Sequence, residues 1–366
     1  MQKVGIIGAG GMAAYHIAGF RKAGAQVVGV CDVNLTKAES YAKENGIEYS
    51  YTSFAQMKKD IPDLTAVSVI TPNKFHFPLV IEALQSGCSV FCEKPPAMNE
   101  EEAAKMAECA QKTGKKLMFN FNNRARQEVQ ALFAYIKQGT VGTINSAQAT
   151  WIRRNGIPGF GGWFTDKKMS GGGAVIDLVH MLDLALYFMD YPHVNYVSAC
   201  TYDTFIRNKA FKGPWGIPDT ENGTIDVEAS CHAFIVFTTG QCLTVRSSWA
   251  EMNEREVVSV AFQGTKAGGK AERLFACDGI DETAFDTCRL YTEENGHQVN
   301  RNIQTVKDTS MGRVDNAANF IYALDGTAEA LNSPDQAVKL MRIIDALYAS
   351  AASHKPVMLN NINENG

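Results

Sequence analysis

The feature that most restricts the fold of this 366-residue chain lies at its start. "VGIIGAGGMAAYH" (4–16) joins a short apolar run to an amphipathic stretch through a glycine turn, with Gly8, Gly10 and Ala13 in a GxGxxA arrangement. Glycines let such a turn tighten and let the backbone approach a pyrophosphate, while free amides at the next helix N-terminus favour its negative charge. Asp32 ends the following β-rich run, "QVVGVCD" (26–32), about 20 residues on, as a dinucleotide fingerprint requires. A carboxylate there hydrogen-bonds ribose hydroxyls and repels a 2′-phosphate, and the adjacent "VNLTK" brings no arginine, so the pattern predicts NAD rather than NADP. A purely structural glycine turn and a helix-capping aspartate are the plain alternatives.

The fingerprint opens a longer βαβ series. The runs 4–8, 26–32, 66–71, 89–93 and 116–121 are apolar without polar alternation, as strands are when helices cover both faces of a parallel sheet. Between them lie amphipathic stretches at 12–23, 36–45, 77–86 and 100–113. The series predicts a doubly wound Rossmann domain over residues 1–121. After residue 122 the texture changes. A helix candidate at 126–139 and "TINSAQATWIRR" lead to strand-like runs at 194–205, 224–239, 241–250, 256–264 and 286–292. Alternation in "DVEASCHAFIVF" predicts a large, open, mostly antiparallel sheet with flanking helices, an α+β domain over 122–366. Helices at 316–324 and 336–350 close it, the last one after Ser333 and Pro334, an N-cap followed by proline at the first helical position.

Composition narrows the partners. A net charge of -4 leaves no basic footprint for nucleic acid or an anionic membrane, so a small molecule is expected. The N-terminus has no signal-peptide pattern, and no uncharged apolar run reaches the roughly 18 residues of a membrane span. Nine scattered cysteines without a CxxC pair predict reduced thiols in the cytoplasm, with no zinc site.

Two further stretches lie at the carboxyl ends of predicted parallel strands, where open α/β sheets bind ligands: "TPNKFH" (71–76) and "FCEKPPAM" (91–98). With GxGxxA, Asp32, "GGGAVIDLVHMLD" (171–183) and the late "GTKAGG" turn they occur in the order seen in the Gfo/Idh/MocA oxidoreductases, and essentially the whole chain resembles that family. The resemblance points to its branch that oxidises glycosides at carbon 3. It implies that Gly8, Gly10, Gly11 and Met12 line the pyrophosphate and Asp32 the ribose, with Thr71, Asn73 and His76 on the nicotinamide side. Glu93 and Lys94 match the EKP motif, whose lysine helps bind the reacting hydroxyl and the nicotinamide ribose, and whose Lys–Pro bond is cis in some members. For Lys94 the plain alternative is a strand-end surface lysine, and for His76 a helix cap. The resemblance also implies a homo-oligomer packed through the second domain's sheet.

Oxidising a secondary alcohol needs a hydride acceptor and a base for the hydroxyl proton. His180, with an unperturbed pKa of about 6.5, is the candidate base. Asp177 is expected to orient it, and Lys94 to offer positive charge to the developing alkoxide. Many relatives separate this Asp and His by three residues, whereas Asp177-Leu-Val-His180 has two between them. On a continuous helix that change swings the angular step from about +40° to about −60°. Asp183, which keeps His-x-x-Asp spacing, then competes with Asp177 for the histidine. For substrate binding, "WIRRNGIPGFGGWFTDKK" (151–168) offers Arg153, Arg154 and Trp163, and 208–223 offers Trp215 as an aromatic wall; packing on the sheet is the alternative.

These residues predict an NAD-dependent dehydrogenase that oxidises a ring hydroxyl of a sugar or glycoside, and the resemblance implies carbon 3 of a glucoside foremost. An inositol, cyclitol or free-sugar dehydrogenase is one alternative. A glycoside-cleaving enzyme working through transient oxidation and elimination is another, and a non-catalytic sugar sensor a third.

Overall fold

The computed structural model describes residues 1–275, 285–306 and 308–359. The chain divides into two compact units, Met1–Arg126 with Asp308–Met341, and Gln127–Lys307 with Arg342–Gly366.

Among the described residues the sheet of the first unit has six strands: β1 (Lys3–Ile7), β2 (Gln26–Cys31), β3 (Tyr49–Tyr51), β4 (Ala66–Val69), β5 (Ser89–Cys92) and β6 (Leu117–Phe119). All are parallel, in the order β3-β2-β1-β4-β5-β6. The chain therefore winds outward in both directions from the β1/β4 pair, the switch point at which such sheets bind nucleotides. Helices α1 (Ala13–Lys22), α2 (Leu35–Asn45), α3 (Phe54–Asp60), α4 (His76–Gln85) and α5 (Glu100–Thr113) cover it. Every residue of β4 and β5 is buried, which is why these strands show no polar alternation. The sequence pattern misses β3 and α3. A three-residue strand is too short to show a period, and α3 announces itself only through Ser53, whose Oγ accepts from Gln56 N at 3.3 Å.

A cut after residue 121 would leave 308–341 with the second domain, but that segment packs in the first unit. Helix α10 (Arg313–Leu324) places Ala317, Phe320 and Ile321 in one core with Val4, Ile6, Phe20 and Phe91. A Cβ on Gly19 of α1 would overlap the Val314 carbonyl, so that glycine permits the close helix pair. Asn332 finishes the sheet edge: its Oδ1 accepts from Phe119 N and its Nδ2 donates to Phe119 O, both at 2.8 Å. A side-chain amide thus satisfies both backbone groups of an edge-strand residue. Helix α11 (Pro334–Ser353) starts as expected, with Ser333 Oγ accepting from Gln336 N and Gln336 Oε1 from Ser333 N.

The second unit holds helix α6 (Gln127–Lys137) and, among the described residues, a nine-stranded sheet. Its strands are β7 (Ile144–Ile152), β8 (Val194–Tyr202), β9 (Ser230–Phe237), β10 (Cys242–Ser248), β11 (Val257–Gly264), β12 (Gly268–Leu274), β13 (Phe285–Glu294), β14 (His297–Asn302) and β15 (Val357–Met358). The order is β14-β13-β12-β11-β7-β10-β9-β8-β15, antiparallel except for the β7/β10 pair. Strand β12 hides in the expected "GTKAGG" turn: the turn closes at Ala267, and Gly269 in the strand leaves room for the Phe262 ring opposite it. Strand β14 is polar and exposed, so it carries no apolar pattern.

The stretch 171–188 is not one helix. After α7 (Lys167–Ser170), α8 (Ala174–Asp177) ends at Leu178 (φ −93°, ψ 20°), and α9 (Val179–Phe188) begins there on a new axis. Asp177 and His180 therefore do not share one helix, and the angular step expected for a continuous helix does not hold across this break. Helix α9 is buried almost all round and lies against β7 and β11. No single helix among the described residues is long and apolar enough to cross a membrane.

Candidate active site

In the first unit the nucleotide-type residues stand where the strands end. Gly8 follows β1 with φ 98°, and a Cβ there would overlap the Ile70 carbonyl, so only glycine lets the turn pass. Around Gly11 there is open space, and Met12, which precedes α1, gives that helix no side-chain cap. Asp32 follows β2. Its Oδ2 accepts from Ala9 N in the glycine turn (3.1 Å) and from Lys37 Nζ (3.0 Å), and its Oδ1 from Asn34 N (3.1 Å). Burial raises its pKa, but the hydrogen bonds from Asn34, Lys37 and Ala9 outweigh that and hold the carboxyl below its ordinary value. The acid therefore stays ionised beside the turn.

Thr71 follows β4. Its Oγ1 is buried and has no hydrogen-bond partner among the described residues, and it lies beside Gly8. A buried hydroxyl is costly unless a ligand or water completes it, so the open glycine turn, the ionised Asp32 and this hydroxyl together fit a dinucleotide. Asn73 is buried in the next turn. His76 is engaged by backbone on both sides. Its ring is fully buried between two carbonyls, with Nδ1 2.8 Å from Pro95 O and Nε2 2.9 Å from Thr71 O. Burial pushes its pKa down, and the two carbonyls, which accept from ring N–H groups, oppose that fall. It ties the loop after β4 to the loop after β5.

That second loop carries Glu93, the half-buried Lys94 and a cis Lys94–Pro95 bond. Glu93 is buried, and its carboxylate accepts from His16 Nε2 (2.9 Å), Asn120 Nδ2 (2.8 Å) and Lys94 N (3.1 Å). Burial alone would raise its pKa; the His16 and Asn120 contacts and the Lys94 charge pull it down to about 2. The network continues from His16 Nδ1 to Ser68 Oγ (2.7 Å) and from Asn120 Oδ1 to Asn316 Nδ2 (2.9 Å). Glu93 is thus the buried anchor on which Lys94 is mounted. Glu93 is legible from the EKP motif, whereas His16, Ser68, Asn120 and Asn316 leave only isolated polar letters in apolar runs as a signal.

In the second unit Asp177 and Arg153 form one cluster. Asp177 Oδ2 accepts from Arg153 Nη1 (3.1 Å) and from Nε1 of the fully buried Trp249 (2.9 Å). Glu256 Oε1 accepts from Arg153 Nε (3.3 Å) and Trp151 Nε1 (2.7 Å). The guanidinium carbon lies 5.1 Å from the Trp151 ring centre and 4.6 Å from that of Trp215, within cation–π range. Arg153 is therefore a buried hub between two carboxylates, which accounts for its donors more fully than a direct role toward a substrate. His180 lies beside Trp151, ring centres 5.7 Å apart, and is nearly buried. Asp183 accepts from Tyr191 Oη at 2.6 Å deep in the core. Trp163 is half-buried and stacks on Phe164 at 3.7 Å, while Arg154 is exposed. Glu256 and Trp249 were not legible as site residues.

Two family descriptions match this chain: the oxidoreductase family's NAD-binding Rossmann fold over residues 2–121 and its C-terminal alpha/beta domain over 134–359. The chain belongs to the Gfo/Idh/MocA oxidoreductase family. Its first unit contains the family's NAD-binding domain, and NAD is the cofactor that the turn, Asp32 and Thr71 fit. The chain is 32% identical to D-glucoside 3-dehydrogenase of Escherichia coli (strain K12) over 362 residues, 98% of this chain and 97% of that protein. It is 30% identical to glucose-6-phosphate 3-dehydrogenase of Bacillus subtilis (strain 168) over 222 residues, 58% of this chain and 61% of that one. A levoglucosan dehydrogenase solved in complex with NADH and levoglucosan has the same fold, with a TM-score of 0.83 at 20% identity over 98% of this chain and 100% of that chain.

Proposed function

We propose that this oxidoreductase oxidises a secondary ring hydroxyl of a sugar or glycoside, carbon 3 of a glucoside foremost, to the ketone. The observation that carries the reading is the near full-length likeness to D-glucoside 3-dehydrogenase. Gly8, Gly10, Gly11 and Met12 bind the pyrophosphate of NAD, Asp32 its ribose, and Thr71 and Asn73 its nicotinamide side, with Glu93 and His76 holding these loops from beneath. Bound NAD supplies the hydride acceptor. His180 takes the hydroxyl proton at a ring nitrogen while the Lys94 ammonium stabilises the negative charge that develops on that oxygen. Asp177, fixed by Arg153 and Trp249, orients His180. Trp163 and the Arg153–Trp215 pair form the wall against the rest of the sugar.

The protein is proposed to act as a homo-oligomer in the cytoplasm. All eight described cysteines are free, which supports a reducing compartment. One face of the second sheet exposes Phe234 (42%) and Tyr202 (51%) beside His232, an apolar surface suited to a second copy. Light scattering that returned a monomer would reject the oligomer. The activity is tested by incubating the protein with a panel of sugars, glycosides and cyclitols, with and without added NAD, and identifying products by mass and NMR. A 3-keto glycoside is expected. Free aglycone would favour cleavage through transient oxidation, and no product from any compound would overturn the dehydrogenase reading.

A further inference from the structure

The three glycines before α8 leave that short helix without a local cap, and its leading amides are satisfied from far away in the chain. Glu228, just before β9, takes those of Gly173, Ala174 and Val175. Its two carboxylate oxygens each accept from Gly173 N at 3.0 Å, its Oε1 also from Val175 N at 3.0 Å, and its own carbonyl from Ala174 N at 3.3 Å. Tyr348 Oη of α11 donates to the same Oε1 at 2.9 Å. The glycines make this fit possible. Gly171 has φ 86°, a Cβ on Gly172 would overlap the Tyr348 hydroxyl, and one on Gly173 would overlap the Glu228 carbonyl.

We infer that Glu228 is a positioning residue for the reaction, holding the 173–177 turn so that Asp177 and, across the Leu178 break, His180 stand in reacting geometry. A second path leads from the same place to the same carboxylate. Ala229 O accepts from Trp249 N at 2.8 Å, and Trp249 Nε1 donates to Asp177. One short stretch thus sets both the start of the turn and the partner at its end. Burial raises the Glu228 pKa, and the amides of Val175 and Gly173 and the Tyr348 hydroxyl oppose that rise. The inference rests on the dehydrogenase reading for the role of His180.

The test uses the full chain with Glu228→Gln, in which the NH2 faces an N–H wherever it sits, and Tyr348→Phe, a milder variant that removes one donor and keeps the ring on Gly172. Amide hydrogen exchange over 173–180, the NADH dissociation constant, and kcat and KM for methyl β-D-glucoside are measured. In Glu228→Gln, exchange should rise locally and the NADH constant and sugar KM hold, while kcat falls about 10- to 100-fold, the scale of loss from a misplaced reacting group. Tyr348→Phe should move the same quantities less. Unchanged local exchange, or faster exchange with kcat unchanged, overturns the inference; should Glu228→Gln not fold, Tyr348→Phe decides by the same criteria. If the unmodified protein oxidises no sugar, the dehydrogenase reading fails and the catalytic role of Glu228 with it, and the exchange data still decide whether Glu228 holds the turn.

Discussion

Two glycine-rich turns lead into helices in this protein, and they use glycine in opposite ways. At Gly8–Gly11 the turn is tight against its own sheet at Gly8 but faces open space at Gly11, and α1 begins with no side-chain cap. At Gly172 and Gly173 the glycines make way for protein, and Glu228 takes the amides of Gly173 and Val175 that a ligand would otherwise find. The first is a socket and the second a closed joint. Absence of a Cβ says only that something approaches closely; whether that something is a ligand or another part of the chain depends on what lies beyond.

The largest test of that contrast removes the group the closed joint presents. His180→Ala should lower kcat by roughly 10²- to 10⁴-fold, with NADH binding retained, as measured by fluorescence titration. Lys94→Ala should do the same. Near-native turnover in either variant would strip that residue of its chemical role.

Next comes the anchor beneath the socket. The folded-state pKa of Glu93 is depressed to about 2, so its stabilisation is present above the unfolded carboxyl pKa of about 4.3 and is lost as pH falls from there toward 2. The shift corresponds to about 3 kcal/mol. Acid unfolding of Glu93→Gln should lose a share of about that size from the stability change that the unmodified protein shows in that window. An identical acid profile would remove Glu93 from the linkage.

Gly173→Ala should then destabilise the fold by about 1–3 kcal/mol, because the added methyl meets the backbone of Glu228. Thermal or urea unfolding measures it. For the cofactor, Asp32→Ala should relax discrimination against NADP by roughly tenfold or more, since a like charge no longer faces the 2′-phosphate. Unchanged discrimination would return Asp32 to a capping role. The smallest effect on stability belongs to Gly11→Ala, within about 0.5 kcal/mol, because the methyl enters open space; NADH binding should weaken nonetheless. If Gly11→Ala and Gly173→Ala cost the same stability and leave binding alike, the distinction between socket and joint is wrong.

Legibility in the sequence followed distance along the chain. The parallel strands showed through unbroken apolar runs because both faces are covered, and α11 showed through a cap three residues from the amide it satisfies, Ser333 to Gln336. Segment 308–341 could not be assigned by pattern: nothing in α10 states that its apolar face completes the core of β1 rather than covering the later sheet. The cluster around Asp177 was harder still, since Glu256 meets Arg153 across 103 positions.

By itself the sequence determined the glycine turn, the acid at the end of the second strand, the parallel half of the fold and the candidacy of Lys94 and His180. Each rests on a backbone conformation or side-chain chemistry set by residues within a few positions. Only the tertiary structure decided the break at Leu178, the pairing of Asp177 with Arg153 and Trp249, the withdrawal of His76 to a buried strap, and the capping of Gly173–Val175 by Glu228. The physical reason is that buried amides and charges must be satisfied wherever they lie. Where no neighbour in sequence can satisfy them, the partner is chosen by packing, which local pattern does not record.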